Sequence, residues 1–223
     1  MRLYKYIDAR YLESLLNGGV RFLTLAYYRG HEAKGSIGDA EEAARVFHPL
    51  EGLEVTKVAT GQRFRLQATF RSSARAEDVY VFCVSRALDA ALATEFECDA
   101  CVEILDGEEF GSRLKTAVER LPGERRFIQG PVAYYALPDA PVIDWALPEV
   151  MVFSKLAEYS RQAEYRFAFG RSDIFELSGT TQELVFGEPM RKSATCTRPP
   201  EVIQVGNLRD VTVVHRWGRL TRG

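Results

Sequence analysis

At 223 residues the chain is long enough to bury one large core and too short to demand two. Its composition, 46% hydrophobic and 27% charged, is that of an ordinary globular protein, and no stretch approaches the roughly 18 apolar residues of a membrane span. The net charge of −2 removes any overall cationic attraction for nucleic acid, and the charges in MRLYKYIDARYL stand where a signal peptide would have its apolar run, so a soluble cytoplasmic protein is expected.

Residues 3–7, LYKYI, predict a short strand. Asp8 is a candidate helix N-cap, and Tyr11, Leu12, Leu15 and Leu16 form an apolar stripe at helical spacing. Asn17-Gly18-Gly19 ends that helix, since glycine tolerates the left-handed conformation of a C-terminal cap. Val20 to Tyr28 reads as a second strand. Residues 29–60 lack periodicity and read as a long surface loop with a helical turn near 39–46, with His31 at the surface. Arg63 to Phe70 reads as a strand, and Val79 to Ser85 as a buried one because its apolar run is nearly continuous.

Residues 101–105 predict another strand, and Phe110, Leu114, Val118 and Leu121 predict a helix over 108–121. Pro131 to Ala136 is a strand candidate, residues 138–149 with three prolines are loop, and 150–160 fits helix or strand. AEYRFAF alternates cleanly, and short closing strands follow around Val185, at 202–205 and at 211–215. Many short strands with two or three helices make a mixed α+β domain spanning residues 1–223.

Charge is uneven. Lys57 to Arg75 holds five basic residues and no acidic one, 77–109 holds ten acidic and one basic, and 190–223 holds seven basic and two acidic. Solvated faces account for most such runs, though two basic segments could meet in one patch for a polyanion. Cys98 and Cys101 form a lone CxxC, but Cys83, Cys196, His31, His48 and His215 offer no second pair in metal spacing, so packing is expected and a metal is not. No P-loop, GxGxxG, HExxH or GxSxG occurs.

The segment QAEYRFAF, residues 162–169, is the most informative. Strand periodicity sends Ala163, Tyr165, Phe167 and Phe169 to one face and Gln162, Glu164, Arg166 and Ala168 to the other. The bland reading of the second face is open surface with a Glu/Arg pair.

LYKY, NGG with VRFLTLAYYR, YVFCVS, FSKLAEYSRQAEYRF and EVIQVG, in that order from Leu3 to about Gly206, resemble an uncharacterised bacterial domain-of-unknown-function family with LYKY, FCxS and ExEYR strands. Two departures stand out: Gln162 replaces an acidic residue, and ALDAALATEFECD replaces a tryptophan-containing stretch. That family in turn looks like the ADP-ribosyltransferases, whose site is spread over three strands. The resemblance implies a split sheet with Lys5 (or Arg2) holding NAD phosphate, Tyr27, Tyr28 or Ser85 near the nicotinamide, Gln162-Ala163-Glu164 as a QxE with Glu164 and Gln162 catalytic, and Arg166 binding the cofactor beside them. A lysine in the first position departs from the better known enzymes.

What it implies for function is NAD-dependent ADP-ribosyl transfer or NAD hydrolysis in a bacterial toxin or anti-phage setting, with NAD as substrate, no metal, and a protein or nucleic-acid acceptor. Two alternatives stay open: a non-catalytic nucleotide- or nucleic-acid-binding module, and a nuclease-like hydrolase, which would need a divalent ion. If the transferase reading holds, Lys5, Glu164 and one of the two tyrosines must share a cleft. Adjacent strand residues face opposite ways, so only one tyrosine is expected there.

Overall fold

The run YVFCVS, aromatic and β-branched without a turn former, becomes the hub of the architecture. In the computed structural model, which describes residues 1–30, 41–186 and 198–217, the chain is a mixed α+β protein with mostly antiparallel sheets. Strands β1 (Leu3–Ile7), β2 (Gly19–Thr24), β7 (Tyr80–Ser85), β8 (Ala100–Ile104), β9 (Arg125–Pro131), β12 (Glu164–Arg171), β14 (Glu201–Gln204) and β15 (Thr212–Arg216) form the main sheet. The other strands, β3 (Ala44–Phe47), β4 (Leu53–Lys57), β5 (Gln62–Leu66), β6 (Ala68–Ser73), β10 (Ala133–Tyr135), β11 (Ser154–Leu156) and β13 (Thr181–Phe186), make smaller sheets, of which only β10–β11 is parallel. The α-helices are α1 (Leu12–Leu16), α2 (Leu25–Gly30), α3 (Ala90–Glu95), α4 (Gly107–Glu119) and α5 (Pro148–Val152).

One edge of β7 is paired along its whole length with β12, from Glu164 opposite Ser85 to Phe169 opposite Tyr80. Its other edge is shared. β1 pairs only at Tyr4 opposite Ser85, and β2 pairs at Leu23 opposite Val81 and Thr24 opposite Tyr80. Between these contacts the two strands part, and each goes on to its own partner, β8 for β1 and β14 for β2. The sheet is therefore divided along the middle of β7.

Both faces of β7 and β12 are covered. On one, Phe22, Phe82, Phe110, Phe167 and Phe169 build an aromatic core with the rings of Phe110 and Phe167 edge to face at 5.2 Å. Helix α4 closes it with Phe110, Leu114 and Val118, and Asp106 caps that helix by accepting from the Glu108 and Glu109 amides. Each such fully buried side chain contributes about 1.5–3 kcal/mol. On the opposite face Leu25, Met151, Val152, Ala168 and Phe175 form a second cluster.

Several expectations are corrected. The second strand stops at Thr24, whose Oγ1 accepts from the Tyr27 amide at 3.2 Å and starts α2, so Tyr27 and Tyr28 are helical. Within the expected loop at 29–60, β3 pairs with β6 and β4 with β5; the β4–β5 hairpin is largely exposed and so shows no buried-face pattern. His31, Gly35, Gly38 and Cys196 lie outside the described residues. The strand expected at 63–70 breaks at Gln67 into β5 and β6. Helix α3 had a readable signal, since Asp89 caps it by accepting from the Ala91 amide at 2.8 Å. In α1 the buried stripe is Leu12, Leu15 and Leu16, while Tyr11 is exposed. Gly18 does end this helix, at φ +91°, where a Cβ would meet the Gly206 carbonyl. No helix among the described residues is long and apolar enough to cross a membrane.

Candidate functional site

A cavity of about 340 Å³ opens where β1 and β2 part. Its floor is the polar face of β7 and β12, with Cys83, Ser85, Glu164 and Arg166. β1 contributes Tyr4 to Ile7 along one side, and Leu23, Tyr27 and Tyr28 stand across from them. Glu42, Lys155 and Gln162 close the inner end. Lys5, Tyr27, Tyr28, Ser85, Gln162, Glu164 and Arg166 are thus all brought to one cavity. Arg2 is not; it lies exposed and pairs with Glu103 at 2.8 Å.

Both tyrosines reach the cavity because successive residues on a helix diverge by about 100° rather than 180°. Their rings meet edge to face at 5.6 Å. Lys5 reaches into the division of the sheet, where its Nζ donates to the Cys83 carbonyl at 2.8 Å and lies 4.6 Å above the Phe82 ring. Burial lowers its pKa, partly opposed by neighbouring Cys83, Cys98 and Glu164.

The polar face of β12 is buried rather than open surface. Glu164 is 6% exposed and Arg166 is 1% exposed, because α2, α5 and the turn before β3 cover them. Arg166 donates through Nε to Glu164 Oε1 at 2.6 Å, through Nη2 to Glu42 Oε1 at 2.7 Å, and through Nη1 to the Val152 carbonyl. Lys155 Nζ lies 3.2 Å from Glu164 Oε2 and 2.9 Å from Gln162 Oε1. Burial disfavours a charged Glu164, but Arg166 and Lys155 outweigh it and hold the carboxyl ionised well below the usual range. Three of the five guanidinium N–H groups are used in this way, so Arg166 positions two carboxylates.

Ser85 lines the floor, yet its Oγ donates to the Gln162 carbonyl at 2.7 Å and accepts from the Ala87 amide at 3.0 Å. Gln162 ends a 3-10 turn, Ala157–Gln162, and the strand begins only at Glu164. Ala163 between them is left-handed at φ 44°, and Ala43, next to Glu42, at φ 60°. Left-handed backbone costs an alanine about 1–2 kcal/mol, so both carboxylates sit beside stored strain.

Glu42 and Lys155 escaped the sequence reading. Neither lies in a periodic segment; only the position of Glu42 in a long aperiodic stretch, where functional residues concentrate, hinted at it. Together Glu42, Glu164, Arg166 and Lys155 cancel in charge. Lys5 has no carboxylate within ion-pairing distance among the described residues, and Asp8, which also lines the cavity, balances its charge without pairing with it.

Cys101 is buried in β8 beside Tyr6 and Leu92, and Cys98 Sγ donates to the Phe96 carbonyl at 3.3 Å. Burial pushes the two thiols up to about 12 and about 11. Among the described residues no three His, Cys, Asp or Glu side chains gather as metal ligands. The basic run 57–75 is largely neutralised: Arg63 lies 3.5 Å from Glu54, Arg65 3.3 Å from Glu51, and Arg71 2.9 Å from Glu41. No family model matches the chain, and neither a curated protein nor a solved structure matches it.

Proposed function

We propose that the protein is an NAD-consuming enzyme with an ADP-ribosyltransferase-like divided sheet, acting as a transferase or glycohydrolase. The observation that carries this reading is the meeting of Lys5, Tyr27, Tyr28 and Glu164, from three separate elements, around one cavity of ligand size. The residue types suit NAD. An ammonium without a carboxylate partner takes a phosphate as a point charge. An aromatic ring of Tyr27 or Tyr28 stacks on the flat nicotinamide. Glu164, kept ionised, faces the positive charge that the ribose develops.

In this reading the bond between nicotinamide nitrogen and ribose C1′ breaks with its electron pair going to the nicotinamide. The oxocarbenium-like ribose is then taken by water or an acceptor hydroxyl, whose proton passes to solvent. Glu164 stabilises the cation where it forms, the kind of preorganised electrostatics from which enzymes draw most. A bacterial toxin or anti-phage setting belongs to the same proposal and rests on the motif resemblance.

One observation favours a second reading, a nucleotide-binding module without catalysis. Both Glu164 oxygens are held by Arg166 and Lys155, as in a purely structural ion pair. A single experiment separates the two. Nicotinamide release and NAD affinity are measured for the wild type and Glu164→Gln. Release that the substitution removes while NAD still binds supports the enzyme; binding without release by the wild type supports the module; no binding of NAD by the folded protein rejects the enzyme and a module for this dinucleotide.

A further inference from the structure

Two carboxylates stand at the inner end of the cavity, and three of their four oxygens are engaged. Glu164 Oε1 accepts from Arg166 Nε, Glu164 Oε2 from Lys155 and Glu42 Oε1 from Arg166 Nη2. The fourth, Glu42 Oε2, is buried and accepts no hydrogen bond from the described residues, although the residue is only 2% exposed and lines the cavity. A buried charged acceptor left without a donor costs at least about 1–3 kcal/mol, so this arrangement calls for a donor that the described residues do not supply.

The character of that donor follows from the charges around it. Arg166 and Lys155 already offset both carboxylates, and Lys5 and Asp8, which also line the cavity, add one charge of each sign. A cationic group would meet a site with no negative excess. An uncharged N–H or O–H, carried on a ligand whose anionic part reaches Lys5, meets no such opposition.

We infer that Glu42 Oε2 is the cavity's acceptor for an uncharged hydrogen-bond donor of the ligand, a sugar hydroxyl or a carboxamide N–H, and that Glu42 decides which ligand the site accepts. This rests on the NAD reading. It assigns Glu42 the contact that Glu164, with both oxygens engaged, does not have free.

The test is calorimetric binding of four probes to the wild type and to Glu42→Gln. The probes are NAD, its 2′-deoxy and 3′-deoxy forms at the nicotinamide ribose, and nicotinic acid adenine dinucleotide, which replaces the amide donor by a carboxylate. The wild type should prefer NAD over one of these analogues by about tenfold or more, the worth of one hydrogen bond to a charged group. The analogue that loses affinity names the donor. In Glu42→Gln the amide oxygen is taken by Arg166 and the NH2 group faces the cavity, so the preference should shrink to about threefold or less. The ratio is read because removing a negative charge also changes the affinity for every anion. If Glu42→Gln does not fold, Glu42→Asp, which withdraws the oxygen by one methylene, must reduce the preference instead. Equal binding of all four probes, or a preference that survives the substitution, overturns the role of Glu42 and leaves the NAD reading standing. Failure of the folded wild type to bind NAD overturns both.

Discussion

The two faces of β12 are equally dry and yet built from opposite chemistry. Tyr165, Phe167 and Phe169 enter an aromatic core in which contacts are non-directional and many neighbours share the load. Glu164 and Arg166, one residue away on the same strand, enter a network of four charges in which each side-chain nitrogen of Arg166 and Lys155 has an acceptor at 2.5–3.2 Å. The first face tolerates changes of shape. The second tolerates changes of shape and charge poorly, because each lost partner strands another charge away from water.

The sharpest test of that contrast exchanges one hydrophobic residue into each face. Arg166→Leu should cost about 3–5 kcal/mol, enough to threaten folding, since Glu42 and Glu164 would be left with Lys155 alone. Chemical denaturation measures it, and a loss below about 1 kcal/mol would mean the charge network adds nothing. Glu164→Gln should come next at about 1–3 kcal/mol, through the weakened bonds to Arg166 and Lys155. On an open surface, the bland reading of this face, the substitution would be nearly neutral; burial of Glu164 makes it costly.

The same substitution gives a pH signature. Glu164 titrates near 4.5 when unfolded and well below that when folded, so its ionised form contributes fully above about pH 4.5. That contribution drains away as the pH falls towards the folded value. The melting temperature gap between wild type and Glu164→Gln should be widest above pH 5 and close on acidification. A gap that widens in acid would contradict the assignment. Phe167→Leu, by contrast, should cost only about 1–1.5 kcal/mol, the core refilling around a hydrophobic side chain of smaller volume.

The smallest effect is expected at Ala163. Glycine there relieves about 1 kcal/mol of left-handed backbone strain but adds about 0.4–1 kcal/mol of unfolded-chain entropy. Ala163→Gly should therefore melt within about 0.5 kcal/mol of the wild type. A larger gain would show that the strain at this corner is greater than its backbone angles indicate.

What could be read from the sequence follows the same division. Apolar patterning located β7 by its nearly continuous run, β12 by its alternation and the buried stripe of α4 by its helical spacing, because those elements each press an apolar face on the core. Periodicity could assign Glu164 and Arg166 to a face, but it carries no information about what covers that face. Covering came from α2, α5 and Glu42, segments separated from β12 by long stretches of chain. Tyr27 and Tyr28 were placed on a strand because aromatic residues favour one, and the side-chain bond from Thr24 redirected the backbone into a helix. β9, half-exposed and charged at its start, offered no pattern to read.

The shared edge of β7 has a mechanical consequence. β12 is fastened to it along six residue pairs, whereas β1 holds by one and β2 by two. The side of the sheet carrying the cavity is therefore the compliant side. The β1–β8–β15 and β2–β14 wings can each yield about their short attachments while the β7–β12 spine stays rigid. A molecule lodged between Lys5 on one wing and Leu23 on the other would act as a brace, stiffening the protein where its own backbone leaves it slack.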